Sequence, residues 1–265
     1  MILVTGATGL VGRHLVAALE GRGAAVLGVS RSAGPTAEEA LRAGGVEALF
    51  LHPRAVGEGA AGLVALAREH GVRRVVALSA INVDEPAEHQ PSRFAGDRNR
   101  EAEQAAAGSG LPWVALRASS FAANTVRAFG PQLRGGDVVR YAYRAFQEAL
   151  VDERDLAEVA ARALTGDGDG VLELTGPQSL SHGEQVAILG AVLGRPLRFE
   201  EVPPEAAARG MAAGGLPAPF VEALMARYRR HLESPQHRPT NGVESILGRP
   251  ARTFAEYAAD HRGAY

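Results

Sequence analysis

The sequence predicts an α/β fold built on a doubly wound parallel sheet, and three observations carry that expectation. Short apolar runs alternate with amphipathic helical stretches through residues 1–135, as parallel strands and their crossover helices do. The first run, Met1-Ile2-Leu3-Val4, passes into Thr5-Gly6-Ala7-Thr8-Gly9-Leu10-Val11-Gly12, with glycines at 6, 9 and 12 between a strand and a helix start. A length of 265 residues suits one such domain with an appended substrate-binding portion.

The glycine-rich turn is the element the rest is arranged around. Gly6 permits a sharp bend, Gly9 lets the main chain approach a pyrophosphate with no Cβ in the way, and Gly12 lets the helix over residues 10–20 pack close to the strand. Amides at that helix N-terminus point at phosphate oxygens. Three glycines alone also suit an ordinary tight turn; their place after an apolar strand and before the amphipathic segment from Arg13 to Glu20 favours a dinucleotide. Thr5, Gly6, Thr8, Gly9, Leu10, Val11 and Gly12 are therefore the first cofactor-binding candidates.

Composition excludes several classes. The formal net charge of -2 offers no nucleic-acid footprint, and no apolar run approaches the ~20 residues of a membrane span. The N-terminus reads as a strand rather than a signal peptide, and zero cysteines leave no disulfide, thiolate metal site or cysteine nucleophile. The expectation is a cytoplasmic protein with no metal. All 28 basic residues are arginine.

The spacing Gly-x-x-Gly-x-x-Gly resembles that of the extended and atypical short-chain dehydrogenase/reductases. Thr5-Gly6-Ala7-Thr8-Gly9, with Ser92-Arg93-Phe94 through Asn99-Arg100-Glu101, is similar to the NmrA-like branch, NAD(P)H-binding proteins that include reductases and cofactor-sensing regulators. The resemblance implies a Rossmann-type sheet. Typical family members use a Tyr-x-x-x-Lys pair, whose lysine holds the ribose and lowers the tyrosine pKa so that it can protonate the substrate oxygen. A chain without lysine cannot have it, and the first tyrosine, Tyr141, lies beyond the stretch where the family places the catalytic one.

In chain order, Ala25–Ser30 is the second strand, and Arg31 at its end stands where an acid would bind a ribose 2′-hydroxyl and an arginine a 2′-phosphate. No acid occurs between Glu20 and Glu38, so NADPH is favoured over NADH. Gly34-Pro35-Thr36 leads directly into a helix over 37–43, so the family's usual third strand is missing and strand two is the expected sheet edge. Val46–Leu51 is the next strand; past its end His52, Pro53 and Arg54 are cofactor candidates, and His52 is also a catalytic one, an ordinary loop histidine being the alternative. A helix over 59–70 precedes a strand over 73–79. At its end Ser79 and Ala80 fall where the family keeps a catalytic serine, with Ser79 equally able to satisfy its own backbone. Residues 83–93 read as an exposed loop able to close over a substrate, and the helix over 94–107 carries Arg98 near the family's lysine position, able to hold a ribose but not to pass a proton.

Leu111–Arg117 is a further strand; the following Ala118-Ser119-Ser120-Phe121 resembles the family stretch beside the nicotinamide, with Ser119 and Phe121 as cofactor candidates, and Asn124 completes a Phe-x-x-Asn signature. Strands are expected over 137–143, 149–151, 171–175 and 197–202, and helices over 156–164, from the Ser181/Glu184 capping box to 193, through most of the stretch after Pro203, and from Thr253. Residues 1–135 thus form the dinucleotide-binding domain and 136–265 a smaller α+β portion, interleaved with the first.

Two functions fit. The first is an NADPH-dependent reductase of a ketone or quinone, plausibly aromatic or polyketide-like, in which orientation and hydride delivery supply most of the catalysis. His52, Ser79 and Tyr141 are its catalytic candidates, and Phe121, Phe129, Tyr141, Tyr143 and Phe146 would suit a flat substrate, core packing being the alternative for these rings. The second is a non-catalytic module that senses NADP(H) and acts through a protein partner.

Overall fold

A computed structural model describes residues 1–30, 34–233 and 238–265. Ile2–Thr5 (β1), Val26–Val29 (β2), Ala48–Leu51 (β3), Arg74–Ala80 (β4), Trp113–Ala118 (β5) and Gly170–Leu174 (β8) form one parallel sheet in the order β2-β1-β3-β4-β5-β8. Its strands are near-continuous apolar runs because both faces are covered. On one face Val4, Phe50, Val76 and Leu116 meet the helices Leu10–Glu20 (α1) and Glu153–Leu164 (α8). On the other, Leu3, Leu49, Val75 and Ala77 meet Ala37–Ala43 (α2), Ala60–Glu69 (α4) and Asn99–Ala107 (α6).

The missing strand explains the strand order. After β2 the chain enters α2 through a Thr36/Glu39 capping box and returns as β3 on the far side of β1. Among the described residues β2 is therefore the edge, as expected, and the order reverses at β1. That reversal opens the crevice where doubly wound sheets bind ligands.

The remaining helices up to residue 135 are Pro53–Val56 (α3), Pro91–Phe94 (α5) and Ala123–Gly135 (α7). The expected helix over 94–107 is split into α5 and α6. The expected exposed loop over 83–93 is exposed at Asp84 and from Pro86 to Glu88 but tied down at its ends: Val83, Gln90 and Pro91 are buried, and Gln90 Nε2 donates to the carbonyls of Val83 (3.1 Å) and Glu85 (2.6 Å). Its carbonyl-rich turn finds internal donors, so it need not stay in water.

Beyond β5, Val138–Tyr141 (β6) pairs with Arg198–Glu201 (β10) and Gln147–Glu148 (β7) with Leu180–Ser181 (β9). The expected strand over 149–151 reduces to a bridge between Val151 and Phe121. The helices are His182–Leu193 (α9), begun by the Ser181/Glu184 capping box, then Pro204–Ala213 (α10), Ala218–Glu233 (α11), Gly242–Leu247 (α12) and Phe254–Asp260 (α13). None of the described helices is long and apolar enough to cross a membrane.

A second core fills this portion. Tyr141 packs edge-on to Phe129 and His182, and Phe146 sits 4.3 Å from the Tyr228 ring, centroid to centroid. His182 Nδ1 lies 3.1 Å from the carbonyls of Ala142 and Tyr143, an arrangement that requires Nδ1–H as donor. Burial holds the imidazole below its ordinary 6.5. Below pH 6.5 the unfolded chain takes up a proton that the folded chain refuses until its own lowered value is reached, so stability falls as pH drops through that interval. The melting temperature should decline from pH 6.5 downward, and less steeply in His182→Asn, whose amide can still donate to those carbonyls; equal slopes in a pH series of thermal melts would remove this assignment.

Candidate cofactor and substrate site

The ends of β1, β3, β4 and β5 meet along one edge of the sheet. At β1 the turn is as compact as its glycines suggest: Gly6 has φ +69°, Gly9 N donates to the Gly6 carbonyl at 2.9 Å, and a Cβ on Gly12 would lie 2.1 Å from that same oxygen. Gly9 is the N-cap of α1 and brings no capping side chain, and no acid occupies the first turn. The amides of Leu10, Val11 and Gly12 donate to no acceptor among the described residues. Three inward amides at a helix N-terminus, with space where Gly9 has no Cβ, fit a pyrophosphate. Thr8 is exposed at the tip of the turn, whereas the Val11 side chain is in the core.

The Thr5 side chain has a different task from the one expected. Its Oγ1 donates to the Phe50 carbonyl and accepts from His52 N, both at 2.8 Å, which ties the end of β1 to the end of β3. This tie lays His52 across the turn, where a Cβ on Gly6 would lie 2.9 Å from His52 Cβ and Cγ. His52 Nδ1 accepts from Arg54 N at 3.3 Å, so the ring proton is assigned to Nε2, on the Gly9 side. His52 thus lies against the glycine turn, with Nε2 on the side of Gly9.

Pro53 opens α3 and is buried, and Arg54 forms a two-point pair with Asp97 at 2.9 and 3.0 Å. The Arg98 guanidinium donates to the carbonyls of Arg93 (3.1 Å) and Asp97 (3.3 Å) and stands 3.5 Å from Glu58. Ser30 is at the end of β2; Arg31 lies outside the described residues.

Two catalytic candidates are corrected. Ser79 is 2% exposed and its hydroxyl donates to Glu103 at 2.5 Å, in a network where Arg117 holds the same carboxylate at 2.6 Å. It faces α6, not the crevice, while its neighbour Ala80 ends the strand opposite Ala118. Tyr141 is 8% exposed, its hydroxyl lies 3.2 Å from that of Tyr228, and burial pushes its pKa up to about 12. It is a core tyrosine and a poor acid. Of the five rings suggested for a flat substrate, Phe129, Tyr141 and Phe146 are buried; Phe121 and Tyr143 are half-buried, and Tyr143 is the one described non-glycine residue at positive φ, 55°.

The loop after β5 is fixed on both sides. Ser119 N donates to the Leu174 carbonyl at 2.9 Å and Ser119 Oγ to that of Ala149 at 2.5 Å, so the hydroxyl offered as a cofactor contact is already used. Val151 N donates to the Ser120 carbonyl at 3.0 Å, and Phe121 bridges to Val151. Asn124 is exposed one step into α7. Ser120, inside the stretch expected beside the nicotinamide but not among the site candidates, accepts from Arg227 Nη1 at 3.2 Å, and Glu148, which the sequence did not single out, stands 3.4 Å from Arg227 Nη2. Nothing in the sequence marks Arg227 among the neighbouring arginines of α11.

Comparison with known proteins places these features. The chain matches a family model described as NAD(P)H-binding over residues 52–167 and one described as the NAD dependent epimerase/dehydratase family over 2–56. It is 38% identical to (4-alkanoyl-5-oxo-2,5-dihydrofuran-3-yl)methyl phosphate reductase of Streptomyces griseus, covering 100% of this chain and 99% of that protein. It is 29% identical to the NAD(P)H azoreductase of Xenophilus azovorans over the same shares. In fold it resembles the NADPH-dependent quinone oxidoreductase QOR2 of Escherichia coli complexed with NADPH, with a TM-score of 0.79 at 21% identity over 98% of this chain and 99% of that one.

The turn geometry separates two glycines. Gly12→Ala drives a Cβ into backbone and should lower the melting temperature of the cofactor-free protein, whereas Gly9→Ala, 3.1 Å from the Gly6 carbonyl, should lower it less while weakening NADPH binding. Thermal melts with and without NADPH decide this; equal losses of stability would contradict the assigned roles.

Proposed function

The chain belongs to the NmrA-like, NAD(P)H-binding branch of the atypical short-chain dehydrogenase/reductases, and on that footing we propose that it reduces a conjugated carbonyl compound, a quinone or an α,β-unsaturated ketone or lactone, with NADPH. One observation carries the choice of acceptor: the two hydroxyls expected to act as acids, Ser79 at the end of β4 and Tyr141 on β6, are both turned into the protein. Hydride addition to an isolated ketone leaves a strongly basic alkoxide, which calls for a general acid. Addition to a quinone or an unsaturated carbonyl leaves a phenolate or enolate, whose charge is spread and which water can protonate. Relatives named for a dihydrofuranone phosphate and a quinone are in keeping with such acceptors.

Bound NADPH supplies the hydride. The chain's residues orient and enclose: the amides of Leu10, Val11 and Gly12 would hold the pyrophosphate, His52 Nε2–H would approach the same phosphates, and the fixed loop Ser119–Phe121 would back the nicotinamide end. The segment from Ile81 to Arg98, packed against α11, separates that end from solvent.

NADPH should bind at least several-fold more tightly than NADH, and Arg31→Ala should remove most of the difference, a charge-assisted contact being worth about 1.5–3 kcal/mol. Equal affinities in wild-type calorimetry would refute the arginine's role.

Purified protein should oxidise NADPH in the presence of some member of a panel of quinones and unsaturated ketones and lactones. With an accepted substrate, His52→Ala, Ser79→Ala and Tyr141→Phe should each lower kcat by less than the ~10²-fold minimum expected for loss of a general acid. A dead Tyr141→Phe that still binds NADPH would restore ordinary acid catalysis, and a panel with no turnover would favour cofactor sensing.

A further inference from the structure

One serine hydroxyl on the loop after β5 has an unassigned proton. Ser120 Oγ accepts from Arg227 Nη1 at 3.2 Å and donates to no acceptor among the described residues. Its main chain is fixed by the Val151 N bond to its carbonyl and by the anchored Ser119 before it, and the residue is half-buried on the loop that leaves the end of β5. Behind it Arg227 is 13% exposed, lies 5.6 Å over the Phe146 ring, and leaves Nε with no partner among the described residues. Glu148, 10% exposed, stands 3.4 Å from Nη2 and balances the guanidinium charge. This is a built arrangement: a buried cation, charge-compensated from behind, donating to a serine whose O–H must point elsewhere.

Its position fits the reacting end. β5 is three strands from β1 in the sheet, about 14 Å at 4.8 Å per strand, on the side of the reversal away from β2. A dinucleotide whose phosphates lie on the glycine turn reaches that far with one of its two halves.

We propose that the Ser120 hydroxyl is the hydrogen-bond donor for the oxygen that becomes negative during reduction, with Arg227 as the positioning residue that orients and polarises it. This rests on the reductase reading above. Hydride arrives at the electrophilic carbon, the π pair moves through the conjugated system onto oxygen, Ser120 O–H donates to that oxygen, and water supplies the proton that completes the product. The serine keeps its own proton, so no buried base is needed. A hydroxyl that accepts from a guanidinium is a stronger donor than one that does not, because chained hydrogen bonds polarise one another. Neutrality of the Arg227–Glu148 pair leaves the site without a fixed anion trap, so the oxyanion is held only as it forms, as rate acceleration requires.

The test has two arms. With an accepted quinone or enone, Ser120→Ala should lower kcat about 10²-fold, the range for removal of one oxyanion donor, with NADPH affinity unchanged. Arg227→Met should also lower kcat, Arg227→Lys less so, and Arg227→Met should add little in the Ser120→Ala background, because it acts through Ser120. In the second arm 4-nitrophenol is added to the NADP⁺-loaded protein, and its visible absorption is followed against pH. The bound phenol should titrate below its solution value in the wild type and not in Ser120→Ala. Wild-type turnover with an unimpaired Ser120→Ala, additive losses in the double variant, or an identical phenol titration in both proteins would each overturn the assignment while leaving the reductase reading intact. Absence of wild-type turnover would overturn both.

Discussion

The carbonyl oxygen of Gly6 is the point through which sheet, turn and helix are joined. It accepts from Gly9 N, and Gly12 approaches it so closely that no side chain fits between. The Gly6 backbone lies in the left-handed region, and the space its missing Cβ leaves is filled by His52. Because Thr5 Oγ1 fixes the His52 amide, the turn after β1 and the end of β3 move as one body. The cofactor crevice is therefore a rigid backbone object, and the amides that face a phosphate are placed before any ligand arrives.

Ion pairing organises the rest with one kind of cation. Asp155, 0% exposed on α8, is bonded by Arg249 and Arg252, which also hold Glu158 at 2.7 and 2.9 Å. The planar fork of arginine can serve two carboxylates at once, which an ammonium does poorly. These contacts fasten the segment after α12 onto the helix that begins beside Val151, and so fix the floor behind the loop after β5. Buried pairs of this type add little net stability over an apolar filling, but loss of one partner strands the others. The same absence of lysine that leaves the family's proton-donating pair unbuilt thus accompanies a scaffold in which arginines act as clamps.

The fold was legible where geometry admits a single residue type or a long period. Glycines at 6, 9 and 12, the apolar strands, and the Ser181 and Thr253 capping boxes each state a local requirement that the structure satisfies. The shortened stretch after β2 announced the edge strand correctly. What failed to show were features decided by tertiary contact. Pro131 and Gly130 disguise α7, which forms because Phe129 and Leu133 are buried in the second core despite the proline. The polar run over 83–93 looks solvent-loving, yet its carbonyls are met by Gln90 and by Arg100, 2.7 Å from Val83 O. Thr5 ends β1 and Ser119 follows β5, but residue type does not reveal that their hydroxyls are already used.

The ends of β4 and β5 show why the substrate end resists reading from sequence. Each offers serine, and the family resemblance ranks Ser79 first because it falls beside the place of the family's catalytic serine. Strand alternation then turns Ser79 toward α6, where the Glu103 carboxylate, held in place by Arg117, accepts its hydrogen bond. Ser120, one step past the strand, meets a cation that arrives from 107 positions later in the chain. A serine that faces a carboxylate becomes a donor that is used up; a serine that faces a guanidinium becomes an acceptor with its proton left over. The chemical difference between two identical side chains is therefore set by the sign of the charge behind each, and that sign is fixed by α6 packing on β4 and β5 and by α11 packing in the second core.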